Sequence, residues 1–357
     1  MARALELDGP RSLRLSDVPA EALAPRSIRV KALLSGVSHG TELSLYRGTS
    51  AFDERVFDRA LRAFITPDTP TATYPAPLGY ELVGRVAEVG EQVTELAPGD
   101  LVHVGAPHRE EATLDLDVAA AATYPPVRLP QDAPLERWLF VSVGAVALVA
   151  VHDAQIKLGD HVAVIGLGAI GLLLVQMAKL AGAARVVAID PVQSRRELSL
   201  KLGADDALDP TAAPDGPGAA LKRSAGHGVD VAVETSGATA GLQAAVSAPG
   251  LGGRVVTVGF YQGGAPELRL GEEWHHNRLD MVSSMGAWGA PHRAYPAWNR
   301  PRVMQTVVDL LASGAVRTDG LPVRHFPFAD AVDAYGWLDE NPNEAVKVAF
   351  TYDGGER

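Results

Sequence analysis

Along residues 26–130 the apolar positions come in short runs separated by turn residues. "SIRVKALLSG", "LVGRVAEVG" and "DLVHVGA" are of this kind, with "APGD" as a turn before the last. Such runs predict a compact, barrel-like β domain. Residues 51–64, "AFDERVFDRALRAF", instead place Phe52, Val56, Phe57, Leu61 and Phe64 at helical spacing. That predicts a helical insertion over one mouth of the domain. A Pro-rich stretch, "TPDTPTATYPAP", follows it. From residue 160 the texture changes to strand, Gly turn, helix, strand. "HVAVIG", "RVVAID", "VDVAVETSG" and "GRVVTVGF" read as strands, and "AIGLLLVQMAKLAG" and "RRELSLKLGA" as helices. Alternation of this sort predicts a parallel sheet covered on both faces. After about residue 290 the pattern breaks into helix ("RPRVMQTVVDLLASG"), strand ("VRHFPF"), helix ("ADAVDAYGWLDE") and strand ("AVKVAF"). That tail is expected to return to the first domain.

A chain of 357 residues fits two domains. Charged residues make up 21% and the net charge is −11, a balance that disfavours a nucleic-acid partner. There is no cysteine, which excludes disulfides and any cysteine-built zinc site. The N-terminus, "MARALELDGPRSL", lacks a signal-peptide core. The apolar run "WLFVSVGAVALVAV", residues 138–151, is shorter than a bilayer span. A soluble cytoplasmic protein with no membrane partner is expected.

The sharpest motif is Gly166-Leu167-Gly168-Ala169-Ile170-Gly171. It follows a strand, opens a helix, and is followed by Asp190 at the end of the next strand, 19 residues after Gly171. Gly166 permits the tight turn, Gly168 lets the backbone approach a pyrophosphate, and Gly171 lets helix and strand pack closely. Unpaired N–H groups at the helix start then receive the phosphates. Asp190 suits a ribose 2′-hydroxyl and repels a 2′-phosphate, which favours NAD over NADP. Arg195 and Arg196 pull the other way, unless they form a solvated helix face with Arg195 along the adenine.

With these residues in view the chain resembles the medium-chain dehydrogenase/reductase superfamily, the zinc alcohol dehydrogenase fold. "PLGYELVGRVAEVGEQVTELAPGDLV" is similar to its GHE-x-x-G-x-V signature, with Tyr80 in place of the histidine. "AVHDAQIKLGDHVAVIGLGAIG", "VDVAVETSG", "GGRVVTVGF" and "AVKVAF" match in order. The resemblance implies an α/β protein: a doubly wound Rossmann domain over residues 143–289, and a β-rich GroES-like catalytic domain over residues 1–142 and 290–357. It also implies cofactor contacts at Thr235, Ser236, Val258, Gly259, Phe260, Ser284, Met285 and Lys347, and a homodimer.

The same resemblance exposes departures. The family's catalytic zinc ligands fall here on Ser38 (or His39), Tyr80 and Ser142, and the lobe with a structural zinc is missing. In "VGAPHREEATLD" only His108, Glu110 and Glu111 remain, and these are expected to be solvated. His39, Glu42, Glu81 and His103 invite a different metal site, but neither spacing nor alignment brings them together. The loop "SGVSHGTE", with "GYE" later, is similar to a subgroup that includes bacteriochlorophyllide dehydrogenase. It supports alcohol oxidation without the usual zinc set.

A metal that lowers the pKa of bound water from 15.7 to about 7 supplies roughly 12 kcal/mol of charge stabilisation. One positioned acid or base supplies roughly 3–5 kcal/mol. Either the substrate therefore delocalises the charge, or several donors share the task. The donors are Tyr80 at a ligand position, Thr41 in a proton relay, Ser38, and His39 passing the proton outward. Glu81 is expected to support them from behind. The expected function is a zinc-independent, NAD-dependent oxidation of a secondary alcohol to a ketone. The substrate is a small molecule of cyclitol, sugar-derived or natural-product type, met by a polar cleft at His39, Glu42, Tyr46 and Arg47. The alternatives are an NAD(P)H-dependent enone or quinone reductase, and a non-catalytic dinucleotide-binding protein.

Overall fold

The computed structural model describes residues 2–67, 73–120, 124–286 and 297–353. The chain divides into two compact units, residues 1–139 with 322–357 and residues 140–321.

The first unit is built on the strand Ser27–Val37, whose near-continuous apolar sequence is buried along almost its whole length. It pairs antiparallel with Leu82–Val89 on one side, and with Glu111–Asp115 and then Lys347–Thr351 on the other. Outward from these lie Leu101–Val104, Val127–Arg128 and Val323–Pro327. The last pair, Val323–Pro327 and Lys347–Thr351, is parallel. A parallel pair needs a crossover, and the helix Ala331–Glu340 supplies it. Leu5, Ile28, Val30, Leu82, Val86, Val102, Val104, Phe328 and Phe350 form the core of this unit.

The predicted helix over residues 51–64 is not formed. Val56–Asp58 and Ala63–Ile65 pair as an antiparallel hairpin, with Arg62 left-handed at its turn (φ 55°). The spacing that reads as helical also places Phe57 and Phe64 across a hairpin, with ring centroids 5.2 Å apart. Arg55 donates to the Phe64 carbonyl and closes the pair. Part of the Pro-rich stretch, residues 68–72, lies outside the described residues.

In the second unit six parallel strands run in the order Asp206–Leu208, Arg185–Ile189, His161–Ile165, Val229–Glu234, Pro249–Thr257, Asp280–Ser283. Numbered along the chain this is 3-2-1-4-5-6. The order reverses between His161–Ile165 and Val229–Glu234, where such sheets bind ligands. Val162, Ala163 and Val164 are fully buried, as a strand covered on both faces must be.

Two expectations are corrected here. The segment 297–321 does not leave with the tail: its helix Arg300–Ala312 buries Val303, Met304, Val307, Val308 and Leu311 within the second unit, against Val141–Ala154. Gln176 then holds the chain end, donating to the Arg317 carbonyl (3.0 Å) and accepting from the Arg317 N–H (2.8 Å). The apolar run 138–151 sits in a longer helical segment, Leu135–Ala154, whose 20 residues are long and apolar enough to cross a membrane. With 67% of its apolar window buried inside the protein, it packs as a core helix does.

A Cβ on Gly144 would stand 2.6 Å from Val307 Cγ1. Gly144→Ala should therefore destabilise the protein by about 1–3 kcal/mol through overpacking. Adding Val307→Ala should recover part of that loss, so that the double variant costs less than the sum of the singles. Denaturant midpoints at unchanged slope check both statements.

Candidate active site and dinucleotide site

Ser38 ends the central strand and starts the helix His39–Arg47 with an extended backbone (φ −92°, ψ 99°), and its side chain makes no cap bond. Instead Glu42 reaches back, and its Oε1 accepts the Ser38 N–H at 2.7 Å. This is half a capping box with the acid one position late, and it frees the Ser38 hydroxyl for other partners. The Ser38 side chain lies close enough to the Tyr80 phenol to pull its proton affinity down.

Glu42 is 1% exposed. Its Oε2 accepts from His108 Nε2 at 2.9 Å and from the Tyr335 hydroxyl. A carboxylate only accepts, so His108 carries its hydrogen on Nε2. His108 Nδ1 meets Ser35 Oγ at 2.7 Å, and Ser35 Oγ meets the Tyr352 hydroxyl at 2.8 Å. Burial pushes the Glu42 carboxyl up, but the attraction of His108 and the bonds from His108, Tyr335 and Ser38 outweigh it and leave it below the usual range. His108 also presses on Gly79, where a Cβ would fall 2.6–2.7 Å from the ring and φ is +96°. The expectation that His108 is solvated is thus wrong, since it is fully buried. Glu110 is held by the Arg3 N–H and guanidinium.

Tyr80 is half-buried and stacks flat on Tyr124, with centroids 5.3 Å apart and planes 6° from parallel. Burial holds its phenol well above the ordinary tyrosine range, and Tyr124, Glu81 and Glu42 add to this against a smaller pull from Ser38. Beside it Glu81 and Lys347 form a buried ion pair, each 1% exposed. Burial raises the Glu81 carboxyl although Lys347 opposes it. A Cβ on Gly36 would lie 2.7 Å from both partners, so only glycine fits there. The ammonium of Lys347, expected at the cofactor, bonds Glu81.

The polar cleft expected from the sequence is not what these residues make. Glu42 and Tyr46 are buried, and Arg47 is bound to Asp339 at 2.5 Å. Thr41 is exposed and His39 half-buried on the first turn of the helix. A zinc ion does not fit this donor set. Ser38 and Tyr80 offer only neutral hydroxyls, Glu81 is taken by Lys347 and Glu42 by His108. Among the described residues no group of three His, Asp or Glu could hold a metal. Ser142 belongs to the second unit, buried in Val141–Ala154.

The second unit carries the dinucleotide site. Gly166 is left-handed (φ +88°), and a Cβ there would strike the Ser236 backbone at 2.6 Å. A Cβ on Gly171 would meet the Gly166 carbonyl at 1.9 Å, whereas one on Gly168 would enter open space. That opening lies before the helix Ala169–Leu180, whose first turn, including Ala169 and Ile170, has no side-chain cap. Its unpaired N–H groups fit a pyrophosphate. Asp190, 4% exposed, accepts the Leu167 N–H at 2.7 Å and the Val192 N–H at 2.8 Å. Each oxygen keeps a lone pair for a ribose hydroxyl. Arg196 donates to the Asp190 carbonyl and pairs with Asp209 at 3.2 Å, so it is part of the scaffold. Arg195 is half-buried on the same helix.

Thr235 Oγ1 donates to the Gly166 carbonyl at 2.7 Å. The buried Glu234 accepts from the Ser236 N–H and hydroxyl, the Gly237 N–H and the Tyr261 hydroxyl, and so ties this loop together. A pocket of about 340 Å³ follows, lined by Thr257, Val258, Gly259, Phe260, Tyr261, Ser283, Ser284 and Met285. Ser284 Oγ is buried there with no hydrogen-bond partner among the described residues. A buried hydroxyl left unpaired is costly, and an amide-bearing ring in the pocket would satisfy it. No sequence signal marks Glu234, His108 or Tyr335 for these roles, because their partners lie far along the chain or on backbone atoms.

His103 is fully buried, and burial with the charge of Lys347 pushes it down to about 3. The unfolded chain's histidine titrates near 6.5. Between these values the unfolded state binds the extra proton, so this stability is intact above pH ~6.5 and falls as the pH drops toward ~3, by at most about 1.36 kcal/mol per unit. His103→Leu should lose stability less steeply than the parent between pH 6.5 and 4.5, as read by denaturant midpoints.

Comparison with known proteins agrees with this architecture. Residues 27–122 match the alcohol dehydrogenase GroES-like domain and residues 169–308 the zinc-binding dehydrogenase family. The chain is 31% identical over 350 residues to D-guloside 3-dehydrogenase of Shigella flexneri, covering 96% of this chain and 98% of that protein. It is 30% identical over 279 residues to (R,R)-butanediol dehydrogenase of Bacillus subtilis, covering 71% and 76%. The crystal structure of 2R,3R-butanediol dehydrogenase from Bacillus subtilis superposes with a TM-score of 0.77 over 98% of this chain and 99% of that one, at 23% identity.

Proposed function

The chain belongs to the medium-chain dehydrogenase/reductase superfamily, and we propose that it is an NAD-dependent, zinc-independent dehydrogenase that oxidises a secondary alcohol of a sugar or polyol to a ketone. Membership supports an oxidoreductase acting on CH–OH groups. The names of the D-guloside and butanediol dehydrogenases support a secondary carbinol as the reacting group. Bound NAD supplies the hydride acceptor. The glycine turn and uncapped helix would hold its pyrophosphate, Asp190 would accept from its ribose, and Ser284 would offer a polar anchor to the nicotinamide amide.

The observation that carries the metal-free reading is that Tyr80 and Ser38 stand where the family places zinc ligands while the neighbouring carboxylates are already paired, Glu81 with Lys347 and Glu42 with His108. With its phenol pushed well up, Tyr80 stays protonated at neutral pH. It is therefore a donor to the substrate oxygen, not a resident phenolate base. As the alcohol is oxidised its hydroxyl proton passes to the Tyr80 oxygen, the phenol proton moves to the Ser38 oxygen, and the Ser38 hydroxyl proton leaves to solvent water. In the reverse direction the same pair delivers a proton to the ketone. The stacked Tyr124 fixes the plane of the phenol, so the pair is held in place before substrate arrives.

A panel of methyl glycosides, cyclitols and 2,3-butanediol with NAD⁺ tests this, beside enones with NADPH. Turnover of a secondary alcohol that survives exhaustive chelation is expected. Activity that disappears on chelation and returns with one equivalent of zinc would sink it. Tyr80→Phe should lower kcat by about 10²–10⁴-fold while leaving NAD affinity unchanged. Asp190→Asn should cut the preference for NAD⁺ over NADP⁺ by about 10–100-fold, the value of a hydrogen bond to a charged group; ratios of kcat/KM for the two cofactors measure it.

A further inference from the structure

His108 bears on both Tyr80 and Ser38. Through Nε2 it bonds Glu42, whose other oxygen holds the Ser38 N–H. Through its ring it closes on Gly79, the residue before Tyr80. The imidazole is itself immobilised. Its Nδ1 is tied to Ser35 and through it to Tyr352, and Phe350 meets the ring edge-on at 4.9 Å and 89°. Tyr335, donating to the same Glu42 oxygen, comes from a helix 293 residues away in sequence. Separate segments therefore converge on one carboxylate and one imidazole, Glu42 exposed by 1% and His108 by 0%.

Stability alone does not call for this arrangement. Well-packed apolar side chains of similar volume commonly stabilise a core as well as buried charged groups do. A network with every Glu42 and His108 acceptor and donor engaged does, however, give a single rigid geometry. The two hydroxyls it holds are the ones that must replace a metal's fixed coordination.

We propose that His108 and Glu42 are positioning residues that lock Ser38 and Tyr80 into one donor pair for the substrate oxygen. This rests on Tyr80 being the proton donor of the proposed reaction. Neither residue touches substrate; both act through the loop 38–42 and the turn at Gly79. The effect should then appear in the chemical step, with little change in substrate or cofactor binding, and should vanish once Tyr80 has lost its hydroxyl.

A mutant cycle on the full-length protein decides the matter. His108→Leu keeps the volume and loses the bond to Glu42; His108→Gln can restore that bond from its side-chain amide. His108→Leu should lower kcat for the best alcohol by about 10–100-fold, the size of a misplacement near 1 Å. KM and NAD affinity should move less than threefold, and His108→Gln should recover most of the loss. In a Tyr80→Phe background the same His108→Leu change should cost less than threefold. Two independent, multiplying losses would overturn the proposal while leaving Tyr80 in its role, and so would an unchanged kcat in His108→Leu. If Tyr80→Phe itself keeps full kcat, or the parent binds NAD and oxidises no secondary alcohol, both readings fall. Should His108→Leu not fold, Tyr335→Phe takes its place in the cycle: it removes one donor to Glu42, keeps the ring, and is held to the same non-additivity.

Discussion

A carboxylate removed from water is tolerated only when its lone pairs are filled, and Glu42 is where the first unit meets that condition. The donors come from the start of its own helix, from the segment after Leu101–Val104, and from the crossover helix Ala331–Glu340. Each donor is fixed in turn by its own packing. The helix start is therefore not free to fray, the turn at Gly79 is not free to rotate, and Tyr80 stands on a rigid base. The neighbouring pair Glu81–Lys347 repeats the device one strand away, with Gly36 left bare to make room. Polar groups that a barrel core would normally exclude are here the means of holding its functional edge.

The second unit depends on backbone where the first depends on side chains. Its dinucleotide cradle is made of glycines, uncapped N–H groups and one aspartate that serves two purposes. Asp190 closes the turn by accepting from Leu167 and Val192, and each of its oxygens keeps a lone pair. Glu234 does the same for the loop 235–237 and reaches Tyr261 beyond it.

What can be read from the sequence follows from this contrast. Strand, glycine turn and helix repeat at fixed local spacing, so the parallel sheet, Gly166–Gly171 and Asp190 are visible without a structure. Tyr80 and Ser38 are visible as departures from a family pattern. The partners of Glu42 are not, since His108 and Tyr335 stand 66 and 293 residues away and no local rule links them. The family resemblance assigns Lys347 to the cofactor, and nothing local marks Glu81 as the partner its ammonium meets. Residues 51–64 mislead because apolar spacing in so short a segment fits a helix and an aromatic hairpin equally. The helix Arg300–Ala312 reads as part of the wrong unit because an amphipathic pattern says that a face is buried, not against what.

The strand Lys347–Thr351 lies between Ser27–Val37 and Val323–Pro327, so the first unit is assembled from early and late parts of the chain. Glu81 is made 266 residues before Lys347. At about 5–20 residues per second of synthesis, it waits on the order of 13–53 s for its counter-ion. Over that interval the second unit emerges whole while the first has a gap in its sheet and two acids bound for the interior without all their partners. The nascent N-terminal part must stay hydrated or be shielded until Lys347 and the strand it opens leave the ribosome.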